Sequence, residues 1–235
     1  NRATELLGGK LGDRLVHPND MVNMGQSSND VIPTAIHVAG LLGLRDDLIP
    51  ALAGLKSSLD QKACEFWPII KTGRTHLQDA TPIRLGQEFQ GYSSQVEKSL
   101  RRVDVAINEL SEVAIGGTAV GTGVNTHKDF ASKVCDKVSD TLGMRVEESP
   151  AHFQAQCTLD GLVASSGSLR SISISLMKIA NDIRWLGSGP RAGLGELLLP
   201  EVQPGSSIMP GKVNPVIAES LIQAVAQVVA SDAAV

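Results

Sequence analysis

Apolar residues recur at alternating steps of three and four from position 85 to 113. Leu85, Phe89, Tyr92, Val96, Leu100, Val103, Ile107 and Leu110 form this series. Such spacing lines one side of a 3.6-residue helix, so it predicts a long amphipathic helix built to pack in a bundle. A second stripe predicts another long helix over 155–186. It consists of Leu159, Leu162, Val163, Leu169, Ile172, Leu176, Ile179, Ile183 and Leu186. Ser165, Ser166, Ser168, Ser171, Ser173 and Ser175 lie within it and are small enough for close helix contact. Gly187-Ser188-Gly189-Pro190 stops it. A third long helix is expected from about Pro215 to Val235. An earlier one is expected over 29–63, bent near Pro33 and Pro50, and a short one over 127–142. No stretch alternates convincingly as a strand. The pattern therefore predicts an all-α, long-helix bundle whose polar connections hold any chemistry.

Composition narrows this picture. Of 235 residues only 3% are aromatic, so the core must be aliphatic. The net charge of −4 argues against a nucleic-acid or acidic-membrane surface, and an anionic ligand would need locally placed cations. Cys64, Cys135 and Cys157 have no metal-ligand spacing, and a reduced, cytoplasmic setting is the simplest reading. No run reads as long and apolar enough to span a bilayer, and no signal peptide is visible. The first residue is Asn, and the pattern at Val235 is still helical. Both ends lead us to expect an internal piece of a longer chain.

The chemistry gathers in four polar stretches. Gly205-Ser206-Ser207-Ile208-Met209-Pro210-Gly211-Lys212-Val213-Asn214-Pro215 is a loop entering a helix. It combines hydroxyls, a cation, an amide and helix-start N–H groups, which together suit proton removal beside a carboxylate. Gln26-Ser27-Ser28-Asn29-Asp30 supplies more N-cap side chains than one helix needs, which favours a binding role. Residues 71–82 read as a loop entering a helix, with His76 flanked by Thr75 and Asp79. That histidine is either a proton exchanger oriented by a carboxylate or a structural one. Arg14, His17, Asn19 and Asp20 make either a small carboxylate pocket or a capped turn. The glycine-rich run over 115–125 suits close backbone packing near a site better than a phosphate cradle.

These stretches carry a resemblance. Residues 205–215, together with Gln26-Ser27-Ser28-Asn29-Asp30 and Gly73-Arg74-Thr75-His76-Leu77-Gln78-Asp79, resemble the three active-site segments of the fumarase/aspartase superfamily, in order and over the whole chain. Asp79-Ala80-Thr81-Pro82 and Trp185-Leu186-Gly187-Ser188-Gly189-Pro190 look more like class II fumarase than aspartase. The resemblance implies reversible hydration of fumarate to malate, a tricarboxylic acid cycle step, without metal or cofactor. It implies Ser206 as the base on a mobile loop. It implies His76 as a proton donor and acceptor acting through a water, with Glu219 of another chain as its partner. Ser27, Ser28, Asn29, Thr75, Ser207, Lys212, Val213 and Asn214 would bind the dicarboxylate. Arg14, His17, Pro18, Asn19 and Asp20 would form a secondary carboxylate site. Residues 1–25 would end an N-terminal domain, and 26–235 would form a truncated central helical domain. The assembly would be a homotetramer with each active site shared by three subunits. Aspartate ammonia-lyase, or an inactive helical assembly fragment, is the alternative.

Overall fold

The computed structural model describes residues 1–205 and 208–235. Helices dominate it. In chain order they are α1 (Arg2–Leu6), α2 (Ser28–Gly43), α3 (Ile49–Glu65), α4 (Leu85–Ser111), α5 (Phe130–Leu142), α6 (His152–Cys157), α7 (Asp160–Leu186) and α8 (Val216–Ala234). Four short strands accompany them: β1 (Ile70–Thr75), β2 (Gln78–Arg84), β3 (Glu112–Val113) and β4 (Glu147–Glu148). β1 and β2 pair antiparallel, whereas β3 and β4 pair parallel. The all-α expectation holds for the architecture.

The expectation of no strand does not hold. β1 and β2 close through a two-residue turn at His76-Leu77, where both residues have positive φ, 54° and 61°. Such a turn matches the twist of a hairpin, but it normally advertises itself by Asn-Gly. Here the turn residues gave no such signal.

The helix expected over 29–63 is interrupted. A wide, π-helical turn spans Leu44–Leu48, and Pro50 follows inside the first turn of α3. Proline has no N–H to continue the ladder, which explains a break just before it. Pro33 lies inside α2 near its start and does not end that helix. The segment expected over 155–186 divides into α6 and α7, and the short helix starts at Phe130 rather than near His127.

The chain divides into two compact units. One comprises Asn1–Gly43 and Ile107–Leu162. Its core includes Leu41, Leu110, Val113, Ile115, Ala131, Cys135 and Val146. Gly40 lets Leu110 come close, since a Cβ there would stand 2.9 Å from its Cδ1. Burial pushes the Cys135 thiol up to about 11, aided by Glu148.

The other unit comprises Leu44–Ala106 and Val163–Val235. The predicted stripe of α4 is its backbone: Leu85, Phe89, Tyr92, Val96 and Val103 are buried. Phe66, Phe89 and Tyr92 stack edge to face, with centroids 5.0 and 5.5 Å apart. Ile172, Ile179 and Leu186 of α7 and Val225 of α8 complete the buried set.

α8 corrects a further expectation. By length and composition it is long and apolar enough to cross a membrane, although little of its surface is covered here. It also carries Glu219 and Asp232, which pair with Arg184 at 3.5 Å and Arg170 at 2.9 Å. Burying such charges in lipid would be costly.

Candidate active site

In the first unit, Ser27-Ser28-Asn29-Asp30 builds the start of α2. The Ser27 hydroxyl accepts the Asn29 N–H at 3.2 Å, and the Asp30 carboxylate accepts the Ser27 N–H at 2.8 Å. This reciprocal pattern is a capping box. Asp30 is 0% exposed. Its second oxygen accepts the N–H groups of Gly116 at 3.2 Å and Thr118 at 2.9 Å. The Asn29 amide donates to the Ala119 carbonyl at 2.8 Å. Ser28 and Asn29 remain exposed. The glycine-rich run is therefore a backbone partner of the Ser27–Asp30 turn. Gly116, at φ 99°, has no room for a side chain, because a Cβ would stand 2.3 Å from that of Ala131.

Also in this unit, His17 caps a wide turn over Pro18–Val22. Its Nδ1 lies 3.3 Å from the Asp20 N–H and 3.0 Å from the Asp20 carboxylate. One nitrogen cannot serve both. Accepting the N–H needs a bare Nδ1, whereas pairing with the carboxylate needs a proton there. The first arrangement is the one that caps the turn. Asn19 makes no side-chain hydrogen bond among the described residues, and Arg14 stands exposed at φ 52°. The turn is capped by the histidine rather than by Asn19.

In the second unit, Thr75 and His76 lie at the hairpin tip and are exposed. The His76 ring has no hydrogen-bond partner among the described residues, and Asp79 reaches toward Arg74 at 4.0 Å instead. Orientation of His76 by Asp79 is therefore not seen. Below the tip the ladder slips by one residue, with Ala80 and Thr81 of β2 opposite Gly73. A Cβ at Gly73 would meet the Thr81 carbonyl at 2.6 Å, so the bulge needs glycine.

Beneath the bulge sits a cluster that sequence reasoning missed. Arg74 donates to Glu196 at 2.7 Å. Lys71 also pairs closely with Glu196, and with Glu88 of α4 at 2.9 Å. The Lys71 side chain is only 8% exposed and that of Glu196 17%. Burial alone would raise the Glu196 carboxyl, but hydrogen bonds from Lys71 and Arg74 outweigh it and hold the group below the usual range. Glu196 lies 122 residues from Arg74, and no local spacing announces the pair.

The loop ahead of α8 completes this unit's candidates. Ser206 and Ser207 lie outside the described residues. Gly205 packs against the far foot of the loop, where a Cβ would stand 2.5 Å from the Lys212 carbonyl. The Lys212 N–H donates to Met209 at 3.2 Å, leaving its side chain exposed beside Val213 and Asn214. Glu219 lies in the first turn of α8, and its described partner is Arg184 rather than His76. No group of three or more His, Cys, Asp or Glu that could hold a metal occurs among the described residues.

In the second unit, exposed turns present a cation at Lys212, an amide at Asn214, a hydroxyl at Thr75 and, at His76, an imidazole without a hydrogen-bond partner among the described residues. Such groups bind carboxylates and exchange protons.

The chain is similar to known proteins along its whole length. It is 54% identical over 236 residues to a mitochondrial fumarate hydratase of Rhizopus oryzae, covering 100% of this chain and 48% of that protein. It is 53% identical to a class II fumarate hydratase of Ralstonia nicotianae, covering 100% and 51%. Among solved structures it resembles a class II fumarase of Schistosoma mansoni, with a TM-score of 0.92 at 39% identity, covering 98% and 52%. It also resembles a fumarate lyase:delta crystallin of Brucella melitensis, bound to cobalt, with a TM-score of 0.94 at 46% identity, covering 100% and 51%. The chain thus spans about half the length of the curated relatives it matches. A family model described as Lyase matches residues 1–230, and the chain belongs to that lyase family.

Proposed function

We propose that the full-length protein carrying this chain is a class II fumarate hydratase, which adds water reversibly to fumarate to give (S)-malate. One observation carries the reading. Three polar segments stand in the order of an active-site set, in a chain 52–54% identical throughout to proteins of that name. Ser206 takes the proton beside the malate carboxylate, and Lys212, Val213, Asn214 and Ser207 hold the resulting charge. A serine hydroxyl is a weak base, so it depends on Lys212 and the N–H groups at the start of α8. Thr75, Ser27, Ser28 and Asn29 orient the dicarboxylate. His76 moves the second proton through a water, aligned by Glu219 of another copy. Arg14, His17, Pro18, Asn19 and Asp20 form a secondary carboxylate site. None of these steps uses a metal or cofactor.

The same reading assigns 1–25 to the end of an N-terminal domain and 26–235 to a central helical domain. It makes the protein a homotetramer, with each active site drawn from three subunits. Apolar side chains left open on the long helices support association: Val105 is 53% exposed, Val163 52% and Ile217 70%. We place the protein in the cytoplasm, as in the reduced setting its cysteines suit; the three are free.

The test is an absorbance assay of the full-length protein with malate, fumarate and aspartate. Fumarate should form from malate. Turnover of aspartate without turnover of malate would replace this reading with aspartate ammonia-lyase.

A further inference from the structure

One cluster has no part in the chemistry just described: Lys71, Arg74, Glu88 and Glu196. We propose that Glu196 is a positioning residue, which through Arg74 and Lys71 holds the hairpin turn so that His76 is presented for proton exchange. The inference rests on His76 being the proton-exchanging group.

The turn needs holding. His76 and Leu77 both sit in the left-handed region, at φ 54° and 61°, without being glycine. Such residues cost on the order of 1–3 kcal/mol each and persist only where their surroundings fix them. Among the described residues nothing at the tip does so. His76 is exposed, its ring has no partner among the described residues, and Leu77 is 66% exposed. Only one ladder pair, Thr75 with Gln78, lies between the turn and Arg74.

Restraint comes from below. Arg74 stands two positions before His76 and reaches Glu196 at 2.7 Å. Lys71 joins the same carboxylate and also takes both oxygens of Glu88, at 2.9 and 3.0 Å. Glu196 is itself fixed, because its N–H donates to the Leu186 carbonyl at 2.8 Å, at the end of α7. The hairpin is therefore tied to α4 through Glu88 and to the end of α7 through Glu196. The pairs are partly shielded from solvent, so they are worth more than surface ion pairs. Lys71 and Arg74 thus face Glu88 and Glu196, with the exposed Asp79 carboxylate 4.0 Å from Arg74, so the clamp offers no surplus of positive charge that would compete for a substrate anion. Small displacements of a reacting group are expensive: about 1 Å costs on the order of a hundredfold in rate.

The experiment uses the full-length protein and its variants E196Q, E196D, R74Q and R74K. Each is assayed for fumarate hydration and followed by the ring resonance of His76 in histidine-labelled protein. E196Q and R74Q are expected to lower kcat at least about tenfold while KM stays within about threefold. The His76 resonance should shift in both. E196D and R74K keep the charge and are expected to retain several-fold more turnover than their uncharged counterparts. Should E196Q or R74Q fail to fold, E196D and R74K decide on the same two readouts, as intermediate kcat with a shifted resonance or as neither. A folded E196Q with unaltered kcat and an unmoved resonance overturns the proposal, whatever its thermal stability. If the unaltered protein does not hydrate fumarate, the functional reading fails, and the resonance still reports whether Glu196 places His76.

Discussion

Two carboxylates anchor two candidate active-site segments, and they do so by different means. Asp30 is wholly buried and accepts three backbone N–H groups, from Ser27, Gly116 and Thr118. Glu196 is partly open and takes two side-chain cations, Arg74 and Lys71. Backbone donors come with every sequence, so the first anchor depends on a single side chain and on the path of the chain around it. The second depends on three or four side chains that can each be exchanged. The candidate turn at 27–29 is thus built into the fold, whereas the support of the His76 hairpin can be tuned one residue at a time.

Asp30→Ala should separate the two anchors most sharply. It leaves three N–H groups without their acceptor. At about 1–3 kcal/mol per buried unsatisfied donor, the loss should reach at least ~3 kcal/mol in a urea titration. A loss under ~1 kcal/mol would mean that water replaces the carboxylate, and that the turn is less dependent on it than its burial implies.

Glu196→Gln should give a smaller and pH-dependent loss. The Glu196 carboxyl is held below its ordinary value of 4.5. A depressed carboxyl contributes stability above its unfolded titration point and loses it as pH falls through the lower folded value. The urea midpoint of the variant should therefore trail that of the unaltered protein at pH 7. The gap should close as the pH is taken below about 4.5. A constant gap from pH 7 to pH 3 would show that charge is not what the side chain contributes.

Arg101→Ala marks the lower end. Arg101 and Glu97 pair at 3.0 Å on α4, but their side chains are 72% and 49% exposed. Their loss should cost no more than ~0.5 kcal/mol, and less in high salt. A larger effect would mean that this face is covered by something in solution.

These anchors also show what could be read before any coordinates. Helical stripes are local, so α4 was legible almost residue by residue: of its eight stripe positions, Leu100 and Ile107 are the two that are only half-buried. The Ser27–Asp30 turn was legible as a helix start, because capping is a matter of three or four adjacent residues. That Asp30 also reaches Gly116 and Thr118 was not, since those partners lie 86 and 88 residues away. The hairpin was hidden because His76-Leu77 lacks the residues that usually mark such a turn. Glu196 looked like any charged loop residue, for its meaning comes from two cations far back in the chain. Lys212, Val213 and Asn214 were found on an exposed loop as expected, while the readings of Ser206 and Ser207 fall outside the described residues.

The wide turn at Leu44–Leu48 has a bearing on how the long N-terminal helical run tolerates changes of length. A π turn holds one more residue than an α turn, so the chain carries a spare residue just ahead of α3. Deleting one residue there would close the turn to an ordinary α turn and leave the phase of α3 nearly unchanged. Leu52, Leu59 and Ala63 would go on filling the interior they now occupy. A deletion of the same size inside α3 has no such slack and would turn the residues beyond it by about 100°.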